Sequence, residues 1–223
     1  MSVLQWDLPG EREYETGVEQ GVLYLPDGTG AYNLGVAWNG LVSVTETPSG
    51  AESNKKYADN KVYANIQSAE EFGGTIEAFM WPAEWNLCDG IATPKPGIYV
   101  SQQARRTFGL SYKTLLGNDL LGTDYGYKLH LAYGCLASPS EKQYTTVNES
   151  PEPVNFSWEF ASTPVSAGAG LKATALITIK STEVDPDELA ALEALLYGTA
   201  SEVAELPAPA DVFALFTAPP AGP

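Results

Sequence analysis

A chain of 223 residues that is 44% hydrophobic and 11% aromatic has the composition of a folded protein, and the length for one large β domain or two smaller ones. Its 28 Asp and Glu against 12 Lys and Arg give a formal charge of −16, which excludes an overall basic footprint of the kind that grips nucleic acid and leaves room only for a local patch. The acid is uneven: no Lys or Arg follows Lys180, whereas Glu183, Asp185, Asp187, Glu188, Glu193, Glu202, Glu205 and Asp211 do, which reads as a solubilising surface.

The first residues, Met1-Ser-Val-Leu-Gln-Trp-Asp7, lack the basic and apolar parts of a signal peptide, and no apolar run reaches membrane-spanning length. The expectation is a soluble protein made and used without export. Cys88 and Cys135 then stay reduced thiols; their spacing fits neither a metal site nor a disulfide framework.

Strands are expected at Gly21–Leu25 and Leu34–Val44. Thr45–Asn60 follows as a long polar loop rich in Ser, Asn and Lys, and loops of that length are usually functional or mobile. Further strands are expected at Lys61–Gln67, Thr75–Met80, Gly97–Ser101 and Thr107–Leu115. Pro82–Asp89 has the Pro start and Gly90 stop of a one- or two-turn helix.

Period-two alternation then becomes clear. Tyr127, Leu129, Leu131 and Tyr133 share an inward face, with Lys128 and His130 outward. Val154, Phe156, Trp158 and Phe160 share another face, and Leu171, Ala173, Ala175, Ile177 and Ile179 a third. This is the signature of antiparallel strands with one buried side. Asp185–Tyr197 reads as a helix, with Asp185 as N-cap, Pro186 at the first helical position, Glu188 completing a capping box and Gly198 as the stop. Leu189, Leu192, Leu195 and Leu196 form its apolar stripe. The fold class is mainly β: an antiparallel β-sandwich or barrel with one or two short flanking helices, over residues 1–199. The Pro-rich residues 200–223 read as an extended C-terminal arm without a regular element.

Chemical motifs are missing. The chain has no Walker A, Rossmann glycine pattern, HExxH or CxxC, and Gly109-Leu-Ser111 lacks the second glycine of a nucleophile elbow. His130, the only histidine, would have to serve any Ser-His-Asp or Cys-His mechanism, and its expected place on a polar strand face makes a solvated side chain the better reading. Glu70 with Glu71, or Glu77 with Glu84, could form a glycosidase pair, but in so acidic a chain surface carboxylates are the simpler reading. Asn148 and Asn155 open glycosylation sequons that carry no meaning without export. Arg105-Arg106 and Lys55-Lys56 are too short to mark a nucleic-acid site. No catalytic, metal-binding or cofactor-binding residue is assigned, and no cofactor is expected.

Three segments carry a family resemblance. One runs from Tyr57-Ala-Asp-Asn-Lys-Val-Tyr-Ala-Asn-Ile-Gln67 through the Gly73-Gly74 pivot to Met80-Trp-Pro82 and Trp85. The second is Gly117-Asn-Asp119 with Asp124-Tyr-Gly-Tyr-Lys-Leu-His-Leu-Ala-Tyr-Gly-Cys135 and onward to Glu141; the third is Ser150-Pro-Glu-Pro-Val-Asn-Phe-Ser-Trp-Glu-Phe160. In this order, over roughly residues 20 to 200, the chain resembles the major tail (tail tube) proteins of long-tailed, non-contractile bacteriophages. The resemblance implies a sandwich or barrel with a helix on one side. It implies six subunits per ring, one sheet of each joining its neighbours into a barrel around a lumen, and rings stacked through loops and terminal arms. The implied partners are further copies of the chain, the tape-measure, tail-terminator and distal-tail proteins, and double-stranded DNA in transit without specific binding, with no membrane. The implied location is the virion tail, assembled in the host cytoplasm. An acidic lumen would let DNA slide. The polar loop, with Ser49, Glu52, Asn54, Lys55, Lys56 and Asn60, is then the expected ring-stacking element. Alternatives are a tube protein of a contractile or secretion system, and a β-sandwich module binding carbohydrate or a host surface.

Overall fold

A computed structural model describes residues 3–147, 149, 152–168 and 170–216. The sequon residues Asn148 and Ser150, the Pro151 of the third resembling segment, and Pro219, Pro220 and Pro223 lie outside them. In chain order the elements are β1 (Glu13–Leu25), β2 (Leu34–Ala37), β3 (Leu41–Glu46), β4 (Ser49–Gly50), β5 (Ser53–Ala58), β6 (Lys61–Gln67), β7 (Glu70–Glu71), β8 (Gly73–Ala78), α1 (Trp85–Cys88), β9 (Ala92–Lys95), β10 (Ile98–Val100), β11 (Phe108–Asn118), β12 (Gly122–Ala137), β13 (Phe156–Ser162), β14 (Leu176–Lys180), α2 (Pro186–Tyr197) and α3 (Pro209–Leu215). The chain is mainly β, with antiparallel sheets and few short helices, as its alternation predicts.

One eight-stranded sheet runs β2-β1-β11-β12-β13-β8-β3, with β14 also paired to β12. β12 is the fork: Lys128–Ala132 pair with β14, and Cys135–Ala137 pair with β13. Gly134 sits at the branch with φ 62°, and a Cβ there would come within 2.2 Å of the Thr163 carbonyl oxygen, so no side chain fits. Beyond the fork the sheet coils back over itself and β3 comes to lie beside β1. Gly74 lets β3 pair closely with β8, because a Cβ there would meet the Thr45 carbonyl oxygen at 2.3 Å.

Both faces of the β1–β11–β12 layer are covered. On one side Leu23, Leu110, Phe108 and Cys135 meet Ile76, Ala78, Trp158 and Phe160 of the other layer. Trp85 of α1 lies 4.7 Å from Trp38, 4.9 Å from Phe108 and 5.6 Å from Trp158 between ring centroids, in tilted and edge-on contacts that suit aromatic quadrupoles. On the other side α2 lays Leu189, Leu192 and Leu196 over Tyr24, Leu129, Leu131, Tyr133, Ile177 and Ile179. The Tyr24 hydroxyl donates to the Leu196 carbonyl at 2.8 Å and fixes the last turn of the helix to the sheet. Asp185 caps α2, accepting from the Asp187 N–H at 2.9 Å.

Several expectations change. The expected strand Leu34–Val44 is two strands, because a turn at Asn39-Gly40 (Gly40 φ 81°) sends β2 to one layer and β3 to the other. The expected Leu171–Ile179 strand starts only at Leu176: Thr174 bridges Val165 and Leu171 is exposed. His130 is buried, not solvated, since its face of β12 is the interior of the sandwich. Residues 200–216 are no extended arm. Glu205 N–H bonds the Leu195 carbonyl, Leu206 bridges Tyr32, and α3 brings Val212 into the second core. The prolines misled because Pro209 stands at a helix start, where its missing N–H costs nothing.

The aromatic cluster gives a test of the core. Trp158→Ala removes the ring at its centre and is expected to destabilise the protein by about 3–5 kcal/mol. Trp158→Phe keeps most of the packing and deletes an indole N–H that has no hydrogen-bond partner, so its cost should be less than half as large. Chemical denaturation of both variants checks the order.

Candidate assembly surface

The most exposed ordered feature is made from the expected polar loop and the strand after it. β5 and β6 pair with each other and with no other strand, from Ser53↔Gln67 to Ala58↔Lys61. Asp59 (φ 51°) and Asn60 (φ 60°) form the tip, both in the left-handed region, as a tight hairpin of right-twisted strands requires. Asp and Asn tolerate that region better than most residues. The β4–β7 pair, Ser49↔Glu71 and Gly50↔Glu70, forms the base, and the Glu52 N–H donates to Ser68 Oγ at 3.1 Å.

The six residues expected to mark a stacking loop therefore share one arm. Ser49 and Glu52 are at its base, Asn54, Lys55 and Lys56 on β5, and Asn60 at the tip. The segment is not a structureless loop. Ser53–Ala58 lacks apolar alternation because neither face of the hairpin meets the core, and that hid the strand. The same reading missed that Lys61, Val62, Tyr63 and Ile66 belong to the arm. The legible signal was Asp59-Asn60, two residues that tolerate a tight turn, directly before the expected strand Lys61–Gln67.

The arm exposes Tyr57 by 70%, Tyr63 by 75% and Ile66 by 57%. A lone two-stranded hairpin is marginal in water, so such residues gain most when another surface covers them. The arm also carries unpaired positive charge. Arg105, Lys113, Lys128, Lys142 and Lys180 are ion-paired with carboxylates, whereas among the described residues Lys55, Lys56 and Lys61 have no such partner, and neither do the scattered Arg12, Lys95, Arg106 and Lys172. Leu120 and Leu121 are exposed at the β11–β12 turn, to which the Gly10 N–H is tied through Asp119 Oδ1 at 2.9 Å.

The other candidates have local structural explanations. His130 stacks on Tyr112 with centroids 4.6 Å apart, lies 3.3 Å from Glu46 Oε1 through Nδ1 and 3.8 Å from Glu15 Oε1 through Nε2, and contacts Thr114 Oγ1 at 3.0 Å. Tyr112 also donates to Glu46, at 2.7 Å. This group links β1, β3, β11 and β12 across the sandwich. Burial lowers the His130 pKa below its ordinary 6.5, against the upward pull of Glu46 and then Glu15. Glu77 accepts from Ser43 at 2.9 Å, and Glu70 and Glu71 form β7 at the arm base. Cys88 and Cys135 are free, buried thiols, and burial pushes Cys88 up to about 12. Among the described residues no group of three or more His, Cys, Asp or Glu is placed to hold a metal ion, and no helix is long and apolar enough to cross a membrane.

No family model matches the chain, and no curated protein matches it.

Two outcomes follow. Burial makes the folded state take up the His130 proton at a lower pH than the unfolded chain does. His130 therefore contributes stability above pH 6.5 which is lost as pH falls through 6.5 toward the lower folded value. Melting of His130→Gln should show a shallower decline between about pH 7 and 5 than the parent. Replacing Ser53–Gln67 with a short turn should leave Tm within about 4 °C of the parent, under ~1 kcal/mol for a domain of this size, because the arm touches no core.

Proposed function

We propose that this chain is the subunit of a bacteriophage tail tube of the non-contractile type, self-associating into rings that stack around a DNA-conducting lumen. The observation that carries this reading is the β5–β6 arm, a formed hairpin exposed on both faces and bearing Tyr57, Tyr63 and Ile66. A protein acting as a monomer gains nothing from such an arm, while an assembly buries it. The resemblance of the three sequence segments supplies the kind of assembly.

Charge supports the same job. DNA must pass fast and without sequence preference, and a basic lining would hold it by counterion release. A subunit of −16 offers little such attraction, and five of its nine cations outside the arm are tied to carboxylates. A ring of six would carry 6 × −16 = −96, so long-range repulsion opposes assembly until salt screens it. A carbohydrate-binding module is less well supported: Trp38, Trp85 and Trp158 are buried, Trp81 packs against the same cluster, and only Trp6 is exposed as a stacking platform.

The test is assembly of the purified protein against ionic strength. Light scattering should rise between about 10 and 150 mM salt, as the screening length falls from roughly 30 to 8 Å, and negative-stain images should show rings or tubes. Scattering that falls over this range, or monomers throughout, overturns the reading.

A further inference from the structure

The coiled sheet has one seam that its own hydrogen bonds do not close. β1 is paired along its length with β11, but on its other side β2 covers only Val22–Leu25. β3 comes alongside β1 without a ladder between them; the Trp38 N–H to the Gly21 carbonyl, 2.8 Å, only carries the β2 pairing one residue further. Register shifts at Thr16/Val18 and Glu19/Val22, with Gly17 and Gln20 in the left-handed region, turn this edge outward. A groove of about 620 Å³ opens there between the layers, walled by Val18, Val22, Trp38, Leu41 and Tyr197. The Tyr197 hydroxyl is buried and has no hydrogen-bond partner.

We infer that this seam receives the β5–β6 arm of a second copy of the chain, whose outer edge adds as a strand to the free edge of β1. The inference rests on the tube-subunit reading and names the surface that the arm would occupy. Both surfaces offer unpaired backbone edges, which is the requirement for strand addition. Their charges are opposite. Residues 53–67 carry Lys55, Lys56 and Lys61 against Asp59, a net +2, while on residues 11–21 Glu13 and Glu15 are neutralised by Lys180 and Lys128 and Glu11 and Glu19 remain against Arg12, a net −1. The apolar content also matches: Tyr57, Val62, Tyr63 and Ile66 are exposed on the arm, and the groove walls are largely apolar. Arm and seam are different surfaces, so each copy gives an arm and accepts one; passed on from copy to copy rather than returned within a pair, the contact is head-to-tail and builds rings or filaments.

Charge reversal in the full-length chain tests this. Glu13 and Glu15 hold Lys180 and Lys128, so they are left in place; Glu11 and Glu19 are exposed and free of ion pairs. Lys55→Glu with Lys56→Glu, and separately Glu11→Lys with Glu19→Lys, should each raise the concentration for half-assembly about tenfold or more, and the four changes together should restore it. Melting curves of the variants exclude misfolding as the cause. If the parent forms tubes but either pair of changes leaves assembly unaltered, or the combined variant is no better than its parents, the seam is not the docking surface and the tube reading stands. A parent that stays monomeric overturns both.

Discussion

The rest of the molecule depends on the fork in β12. A 16-residue strand keeps β11 on one side throughout, but hands its other side from β14 to β13 partway along. The transfer needs a residue that takes a positive φ with a carbonyl oxygen pressed against its Cα, and Gly134 supplies it. Because of the fork one sheet becomes two layers, and the aromatic cluster of Trp38, Trp85 and Trp158 fills the space between them. β14 stays with the first layer and helps make the floor on which α2 rests.

Coiling has a cost in closure. The last strand, β3, reaches β1 but does not pair with it, and side chains substitute for the missing ladder. Tyr112 and His130 bind Glu46 of β3 from β11 and β12, and Trp38 Nε1 donates to the Met80 carbonyl at 2.9 Å. A few polar contacts are weaker than a continuous ladder, which is why a groove remains at this seam. β3 also leads directly through β4 into the arm. The unclosed seam and the projecting hairpin are thus the two ends of one short stretch of chain, and the same coiling produces both.

Much of this architecture was legible in the sequence wherever one face of a strand is apolar and the other polar. Val154 to Phe160 was legible for that reason, and so was α2, whose cap, proline, leucine stripe and terminal glycine agree. Reading failed where both faces share an environment. The second half of β12 is covered on both sides, so the polar look of His130 suggested solvent where the structure has a second layer, while Lys128 nearer the strand's start stays partly exposed. β5 is exposed on both sides, so it looked like a loop. Residues 200–216 are held by backbone bonds to Leu195 and Tyr32, a tertiary cause that composition does not display. The six arm residues were singled out through their polarity and a family resemblance; the free edge of β1 was not, because an unpaired side of a strand leaves no mark in the sequence.

On the proposed assembly the β5–β6 arm is free in the single chain and buried when copies join. Amide hydrogen exchange over Ser53–Gln67, measured on monomer and on assembled protein, tests it most directly. The expected result is fast exchange throughout the arm in the monomer and strong protection after assembly, with the β11 and β12 amides protected in both. Arm amides that stay fast in the assembled protein, while other surfaces become protected, would contradict the account.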